Sequence, residues 1–334
     1  ERLADYTTLK VGGPANIVHA RSEAEIIKAI IDAQNKEVLI LGGGSNLLAA
    51  DDPFSGVVIK IENKGNSYEI DACSGGLLTV AAGEDWDEFV QFTIDKGLAN
   101  LESMSGIPGT VGAAPIQNIG AYGHEVGEVI ARVRTFDRKS REVKTLMASE
   151  IEFGYRTSKF KRDPDRYVIL DVTFHLRRGE NSLPVTYDEL AKELGVELGA
   201  RVPIKDLRAA VLKVRERKGM LLSSGLNSAG SFFMNPIIAK ADESLLPKEA
   251  PRWQQDDGTI KTSAAWLIES AGFSKGYEKN GAGISAKHVL ALTNNGGASA
   301  IALVELAMEI RDAVRKKFDI SLQPEVRMVG IKFI

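Results

Sequence analysis

A single cysteine, Cys73, in 334 residues excludes an internal disulfide and fits a reducing compartment. With no base beside it in sequence, Cys73 reads as a small core residue. No run approaches the roughly 18 apolar residues that a membrane span needs. The first residues, ERLADYTTLKVGG, lack the charged-then-apolar plan of a signal peptide, so a cytoplasmic location is expected. Charge of one sign is missing too: 42 basic against 45 acidic residues leave a formal charge of −3, spread along the chain. That balance offers no footprint for nucleic acid or anionic lipid, and no required protein partner is evident. The four histidines, His19, His124, His175 and His288, are scattered, and no His/Cys/carboxylate cluster has metal-ligand spacing, so no metal is expected. No Walker-type Gly-Lys-Ser/Thr occurs either.

The most telling absence is local. Ser103 to Gly123, SMSGIPGTVGAAPIQNIGAYG, has five glycines and two prolines in 21 residues and not one Asp, Glu, Lys or Arg. Glycines let the backbone take positive φ and approach a ligand closely, while Pro108 and Pro115 stiffen the path. Peptide N–H groups can then converge on an anion without side-chain help. A flexible linker is the alternative, but linkers are seldom also rich in Ile, Val and Ala.

The length suggests two or three domains. Ser22 to Gln34 opens with a Ser-x-x-Glu capping box and carries Ile26, Ile27, Ile30 and Ile31 on one face of a predicted helix. Strands are predicted at Glu37–Leu41 and Val57–Ile61, then at Ser67–Ile70 and Leu77–Ala82, followed by a helix over Glu84–Lys96 that Gly97 closes. Val129–Phe136 and Tyr167–Leu176 read as antiparallel strands. Helices are predicted over Thr262–Ala271 and Ser299–Lys317, the latter with Leu303, Leu306, Ile310 and Val314 at helical spacing, and a last strand over Glu325–Phe333.

The strand ending at Leu41 runs into GGGSNLL (Gly42 to Leu48), with Glu62 twenty residues beyond Gly42, which invites a Rossmann reading. The details oppose it. Leu47 occupies the third glycine position, and Asp51-Asp52-Pro53 stands where a crossover helix is required. Two glycine-rich turns about sixty residues apart remain, and two turns can hold one dinucleotide.

GGGSNLL at 42–48, GIPGTVGAAPIQNIGAYG at 106–123, GYRTSKFK at 154–161, GSFFMNP at 230–236 and PEVR at 324–327 occur in this order. Together they resemble the UDP-N-acetylenolpyruvoylglucosamine reductases, flavoenzymes that make UDP-N-acetylmuramic acid for bacterial cell walls, over nearly the whole chain from Thr7. The resemblance implies an α+β chain: a two-subdomain FAD-binding fold of the vanillyl-alcohol oxidase type plus a C-terminal α+β substrate-binding domain. The expected parts are 1–65, completed by a C-terminal strand at 320–334, then 66–219, and 220–319 for substrate. It implies bound FAD, NADPH as hydride donor and a nucleotide-sugar substrate. The diphosphate is expected on the backbone of Gly42, Gly43, Gly44, Ser45 and Asn46 and of Gly109, Thr110, Gly112 and Ala113. Further cofactor contacts are implied for Leu47, Gln117, Asn118, Gly120, Tyr122 and Gly123, with Tyr155 and Arg327 nearby.

Three residues resemble the family's catalytic set: Arg156 in GYR, Ser231 in GSFF and Glu325 in PEV. Hydride addition to an enolpyruvyl double bond leaves negative charge to be held, which suits a permanent, forked Arg cation and a protonated Glu. Ser231 would return the proton to carbon, a role the resemblance supplies, since a serine hydroxyl is a poor acid by itself. For substrate, Tyr187 in LPVTYDEL resembles the tyrosine that closes over the nucleotide-sugar in the longer class of these reductases. Lys218 in RERKG and Asn235 are candidates for its phosphates. Their ordinary readings are a helix staple for Tyr187 and a solvated helix end for Lys218. Two departures stand out: Met234 where Lys or Thr is expected, and Asp87 where His is common. An oxidase or dehydrogenase on the same fold, and a non-catalytic nucleotide-sugar binder, are the competing functions.

Overall fold

The computed structural model describes residues 1–71 and 73–334. It divides into two compact units, Asn16–Gly43 with Ser55–Ser223, and Glu1–Ala15 with Gly44–Phe54 and Ser224–Ile334. Among the described residues no helix is long and apolar enough to cross a membrane.

The first and larger unit contains two sheets. Strands Asn16–Ala20, Val57–Ile61 and Val38–Leu41 lie in that order and pair in parallel, with Ile17 opposite Val58 and Ile40 opposite Ile59. Four of the five residues of VVIKI are buried, as a strand flanked on both edges requires; Lys60 is the exception. Helix Glu23–Asp32 begins where expected: Ser22 Oγ accepts the Glu25 N–H at 3.2 Å, and the Glu25 carboxylate reaches back to the Arg21 N–H. Ile26 and Ile30 are buried, but Ile31, expected on the same face, is 49% exposed because the apolar stripe ends one residue earlier.

The second sheet is antiparallel, in the order Glu142–Met147, Ile130–Asp137, Tyr167–Arg178, Gly75–Ala81, Asn66–Asp71. Its central strand, Tyr167–Arg178, buries Val172, Phe174 and Leu176 completely. Helix Trp86–Asp95, capped by Asp85 on the Glu88 N–H, lays Trp86 and Phe89 against Phe174, with ring centroids 6.1 and 4.9 Å apart. Burial of such phenylalanines contributes on the order of 1.5–3 kcal/mol each. Gly97 at φ +68° ends the helix, as its sequence position suggested. Both sheets share one core, and helices Asp188–Leu194 and Ile204–Arg217 form a smaller one around Val185, Leu190, Val211 and Val214.

The second unit is built on an antiparallel sheet, Ser228–Ser231, Ala291–Asn294, Ala282–Ile284 and Glu278–Lys279 in that order. Helix Ala300–Phe318 buries Leu303, Leu306, Ile310 and Val314. The predicted last strand is much shorter than its alternating pattern: only Arg327–Val329 is a strand, pairing in parallel with Leu47–Ala49, and Gly330 at φ +69° turns the chain out of it.

One sequence reading holds in an unexpected form and one changes. Residues 42–56 contain no helix, so no Rossmann crossover forms there, yet Val38–Leu41 and Val57–Ile61 still pair in parallel. The connection is long enough because its middle, Gly44–Phe54, folds as part of the smaller unit. Cys73 is not a core residue; it is exposed, next to the turn in which Asp71 accepts the Cys73 and Ser74 N–H groups.

Candidate cofactor and active site

In the larger unit the two glycine turns meet. A Cβ on Gly43 would stand 2.7 Å from Gly109 Cα, and one on Gly42 would stand 2.6 Å from Thr110 Oγ1. At Gly43 a Cβ meets backbone, so only glycine fits there without displacing the other turn; at Gly42 a turn of the Thr110 hydroxyl would relieve the contact. The turn behind them is locked from within. Val111 N–H donates to Glu84 O at 2.9 Å, Gly112 N–H to Ala82 O at 2.8 Å and Ala113 N–H to Thr110 O at 3.0 Å. These three main-chain donors are therefore spent. The N–H groups of Gly43, Gly109 and Thr110 make no hydrogen bond among the described residues and are the ones left for an anion.

Two side chains that sequence reasoning passed over fix these turns. Lys60 Nζ donates to the Gly42 carbonyl at 2.5 Å, and burial, opposed by the nearby Glu62 charge, lowers its pKa. Asp87 Oδ1 accepts the Gly106 N–H at 2.6 Å while Arg208 forks onto both carboxylate oxygens at 2.7 and 2.9 Å. Burial pushes the Asp87 carboxyl up, but the Arg208 fork and the Gly106 N–H outweigh it and hold it below the usual range. The departure noted at Asp87 is thus an anchor for the start of the cradle. Its only signal in sequence was that it departs from the family pattern.

GYRTSKFK wraps the other half of the cradle, carbonyl by carbonyl. Ser158 Oγ donates to Ile116 O at 2.6 Å, and Arg156 donates to Asn118 O at 3.4 Å and Gly120 O at 2.8 Å. Arg156 sits at φ +52°, costly for a non-glycine residue, with its guanidinium 5.3 Å from the Tyr155 ring and 3.8 Å from Glu125 Oε1. The Asn118 side chain is consumed by Glu125, Gly154 O and the Gly127 N–H, and its own N–H donates to Pro115 O at 3.4 Å, so no Asn118 donor is left for a ligand. Tyr122 meets Tyr187 edge to face at 5.8 Å, and burial pushes its hydroxyl up to about 12. Gly123 lies beside Thr186 and the Tyr187 ring. Tyr187 itself is 48% exposed at the N-terminus of helix Asp188–Leu194, and Lys218 is ion-paired with Glu189 of that helix. Tyr187 thus packs on Tyr122, Lys218 is paired rather than simply solvated, and a phosphate at Lys218 must compete with Glu189.

In the smaller unit, three motifs that are far apart in sequence become neighbours. Ser231 ends a strand opposite Ala291, Phe232 O accepts the Glu325 N–H at 2.7 Å, and Met234 N–H donates to Gln323 O at 3.0 Å. Asn46 Nδ2 donates to Glu325 O at 3.3 Å, and the Arg327 N–H to Asn46 O at 3.1 Å. Phe232 and Phe233, both 1% exposed, root this segment in the core. The Ser231 hydroxyl makes no hydrogen bond among the described residues, so it is available to a ligand. Asn235 Oδ1 accepts the Ala264 N–H at 3.0 Å, which commits half of its amide to starting helix Ala264–Ser270. Among the described residues no group of three His, Cys, Asp or Glu side chains is placed to hold a metal ion.

A dinucleotide with a diphosphate fits what the larger unit offers: unspent N–H groups, no carboxylate in the turn, and a close approach that a Cβ would block. Comparison with known proteins agrees. A family model described as FAD binding domain matches residues 14–145, and one described as UDP-N-acetylenolpyruvoylglucosamine reductase, C-terminal domain, matches residues 222–329. The chain is 49% identical over 337 residues to UDP-N-acetylenolpyruvoylglucosamine reductase of Cutibacterium acnes, covering 98% of this chain and 89% of that protein. To that of Thermobifida fusca it is 46% identical over 346 residues, covering 98% and 97%. The crystal structure of the Thermus caldophilus UDP-N-acetylenolpyruvylglucosamine reductase matches with a TM-score of 0.70 at 26% identity, over 99% of this chain and 98% of that one.

Fold, cradle and matched regions define an FAD-dependent oxidoreductase. Within that class, the chain belongs to the UDP-N-acetylenolpyruvoylglucosamine reductase family.

Proposed function

We propose that this protein catalyses the NADPH-dependent reduction of UDP-N-acetylglucosamine enolpyruvate to UDP-N-acetylmuramate, in the cytoplasm, as a step in making peptidoglycan precursors. The observation that carries this reading is full-length similarity to reductases of that name, with Arg156, Ser231 and Glu325 all present in their motifs. Residues 1–65 with 320–334, and 66–219, form the cofactor part in this reading, and 220–319 the substrate part. The two matched family regions, 14–145 and 222–329, support the division near 220 between a cofactor part and a substrate part.

When bound and reduced by NADPH, FAD supplies the hydride, from N5 to the terminal carbon of the enolpyruvyl double bond. The Gly43, Gly109 and Thr110 N–H groups would hold its diphosphate; the Gly112 and Ala113 N–H groups, spent within the fold, would not, while Gly44 to Leu47, Gln117, Gly120 and Arg327 remain expected cofactor contacts. Arg156 pairs with the enolate that develops on the substrate. Its strained backbone and its two carbonyl partners support this role, since they fix the guanidinium before substrate arrives. Glu325 donates a second hydrogen bond where its carboxyl carries the proton, and Ser231 delivers a proton to the carbon that bears the carboxylate. Tyr187 closes over the nucleotide-sugar, with Lys218 and Asn235 on its phosphates.

The test is NADPH oxidation by the purified holoenzyme with and without the enolpyruvyl nucleotide-sugar. Strict dependence on that substrate is expected. Turnover with simple alcohols or sugars in its place, and none with the enolpyruvyl compound, favours an oxidase or dehydrogenase on the same fold. A colourless chain that cannot be reconstituted with FAD sinks both enzyme readings.

A further inference from the structure

Lys60 belongs to none of the motifs above, and its position is unusual. It is the one polar residue of VVIKI, in a strand paired on both sides, and it pairs in register with Leu41, immediately before the first glycine turn. Its ammonium is half-buried, its hydrogen bond among the described residues goes to Gly42 O, and no carboxylate forms an ion pair with it. Glu62, two residues along the strand, is engaged by His19 at 2.9 Å and Arg21 at 3.5 Å instead.

Two consequences follow from peptide geometry and charge. A trans peptide is planar, with its C=O and N–H pointing in opposite directions. Drawing the Gly42 carbonyl toward Lys60 therefore turns the Gly43 N–H away from it, on the exposed side of the turn, where that N–H has no partner. The second consequence is electrostatic. A partly desolvated cation with no ion-paired partner, compensated only through space by Glu62, costs free energy in the apoprotein, and an anion near the Gly42–Gly43 peptide relieves that cost.

We propose that Lys60 is a positioning residue for the FAD diphosphate: it orients the Gly42–Gly43 peptide and supplies the positive charge that the side-chain-free cradle lacks. This rests on the reading of Gly43, Gly109 and Thr110 as the diphosphate cradle. Lys60 acts from behind the main chain and touches neither substrate nor the reacting atoms.

The experiment is reconstitution of the apoprotein with FAD, and separately with riboflavin, which has no diphosphate, followed by quenching of flavin fluorescence. Lys60→Met weakens FAD binding by about tenfold to a hundredfold, the range for losing a charge-assisted hydrogen bond, and leaves riboflavin binding within about twofold. Lys60→Arg, which keeps donor and charge, restores most of the FAD affinity. An unchanged FAD affinity in Lys60→Met, or an equal loss for FAD and riboflavin, overturns the proposal; the second outcome marks a merely structural lysine. If Lys60→Met does not fold, Lys60→Gln, which keeps a neutral donor, is read against the same outcomes. Gly43→Ala separates the two levels. If Gly43→Ala binds FAD normally, the cradle reading itself fails; if it loses FAD while Lys60→Met does not, only the role of Lys60 fails.

Discussion

In the larger unit the groups left unspent are main-chain N–H groups on small residues, in turns held by Lys60, Asp87 and the GYRTSKFK segment. In the smaller unit the groups with reactive potential are side chains, Ser231 and Glu325, set on adjacent segments rooted by Phe232 and Phe233. A main-chain site is specified by what side chains must not do, namely carry a Cβ or a negative charge, so it leaves a mark in composition. A side-chain site is specified by two or three common residue types whose meaning depends on neighbours brought from elsewhere in the sequence. Arg156 crosses this division: its guanidinium serves the cradle carbonyls, and it is also the candidate for holding the enolate.

The largest effect is expected for Arg156→Ala. With FAD kept saturating, reoxidation of the reduced flavin by the enolpyruvyl substrate falls by about a hundredfold to a thousandfold, the cost of one oxyanion donor, as read by stopped-flow absorbance. Flavin reduction by NADPH falls much less. If both half-reactions fall together, Arg156 belongs to the cofactor side alone. Gly43→Ala comes next, with FAD affinity down by at least about tenfold, because its Cβ would stand 2.7 Å from Gly109 Cα and overpacking of this kind costs about 1–3 kcal/mol.

Asp87→Asn sharpens the structural half of the comparison. It removes a charged partner from Arg208 and Gly106 and lowers stability to urea by roughly 1.5–3 kcal/mol at pH 7. Because the folded-state pKa of Asp87 lies below its unfolded value, the contribution is complete above the unfolded carboxylate range and disappears as pH falls through the folded pKa. The difference between wild type and Asp87→Asn should therefore shrink in acid, and a difference that is constant from pH 7 to strongly acid conditions contradicts the assignment. The smallest effect is expected for Lys218→Ala, a rise of about fivefold to tenfold in KM for the nucleotide-sugar with kcat nearly kept. Its ammonium already has Glu189 as a partner, so phosphate binding gains only the difference between the two. An unchanged KM would leave Lys218 as a helix-end charge.

The comparison also explains what was legible in the sequence. The charge-free stretch Ser103–Gly123, the strand-to-glycine turn at Gly42 and the long helix near Ser299–Lys317 follow from local rules, and the fold places them as those rules suggest. Which N–H groups of the cradle stay unspent was not legible, since Val111, Gly112 and Ala113 donate to Glu84, Ala82 and Thr110 through contacts that composition does not encode. Lys60 carried no signal of its own in VVIKI, and only the parallel pairing of that strand with Val38–Leu41 brings it to Gly42. Ser231 and Glu325 could be named by resemblance but not by chemistry, because the hydrogen bond between Phe232 and Glu325 joins segments almost a hundred residues apart. Cys73 failed for the opposite reason: cysteine is buried often enough to mislead when its own turn is exposed.

If cofactor binding and proton delivery are carried by different groups, Ser231→Ala separates them. Both half-reactions are followed anaerobically by flavin absorbance in the holoenzyme. The expected result is reduction by NADPH within about threefold of wild type, with reoxidation by the enolpyruvyl substrate slowed by at least about a hundredfold. Equal losses in both half-reactions, or reoxidation at the wild-type rate, would contradict that separation.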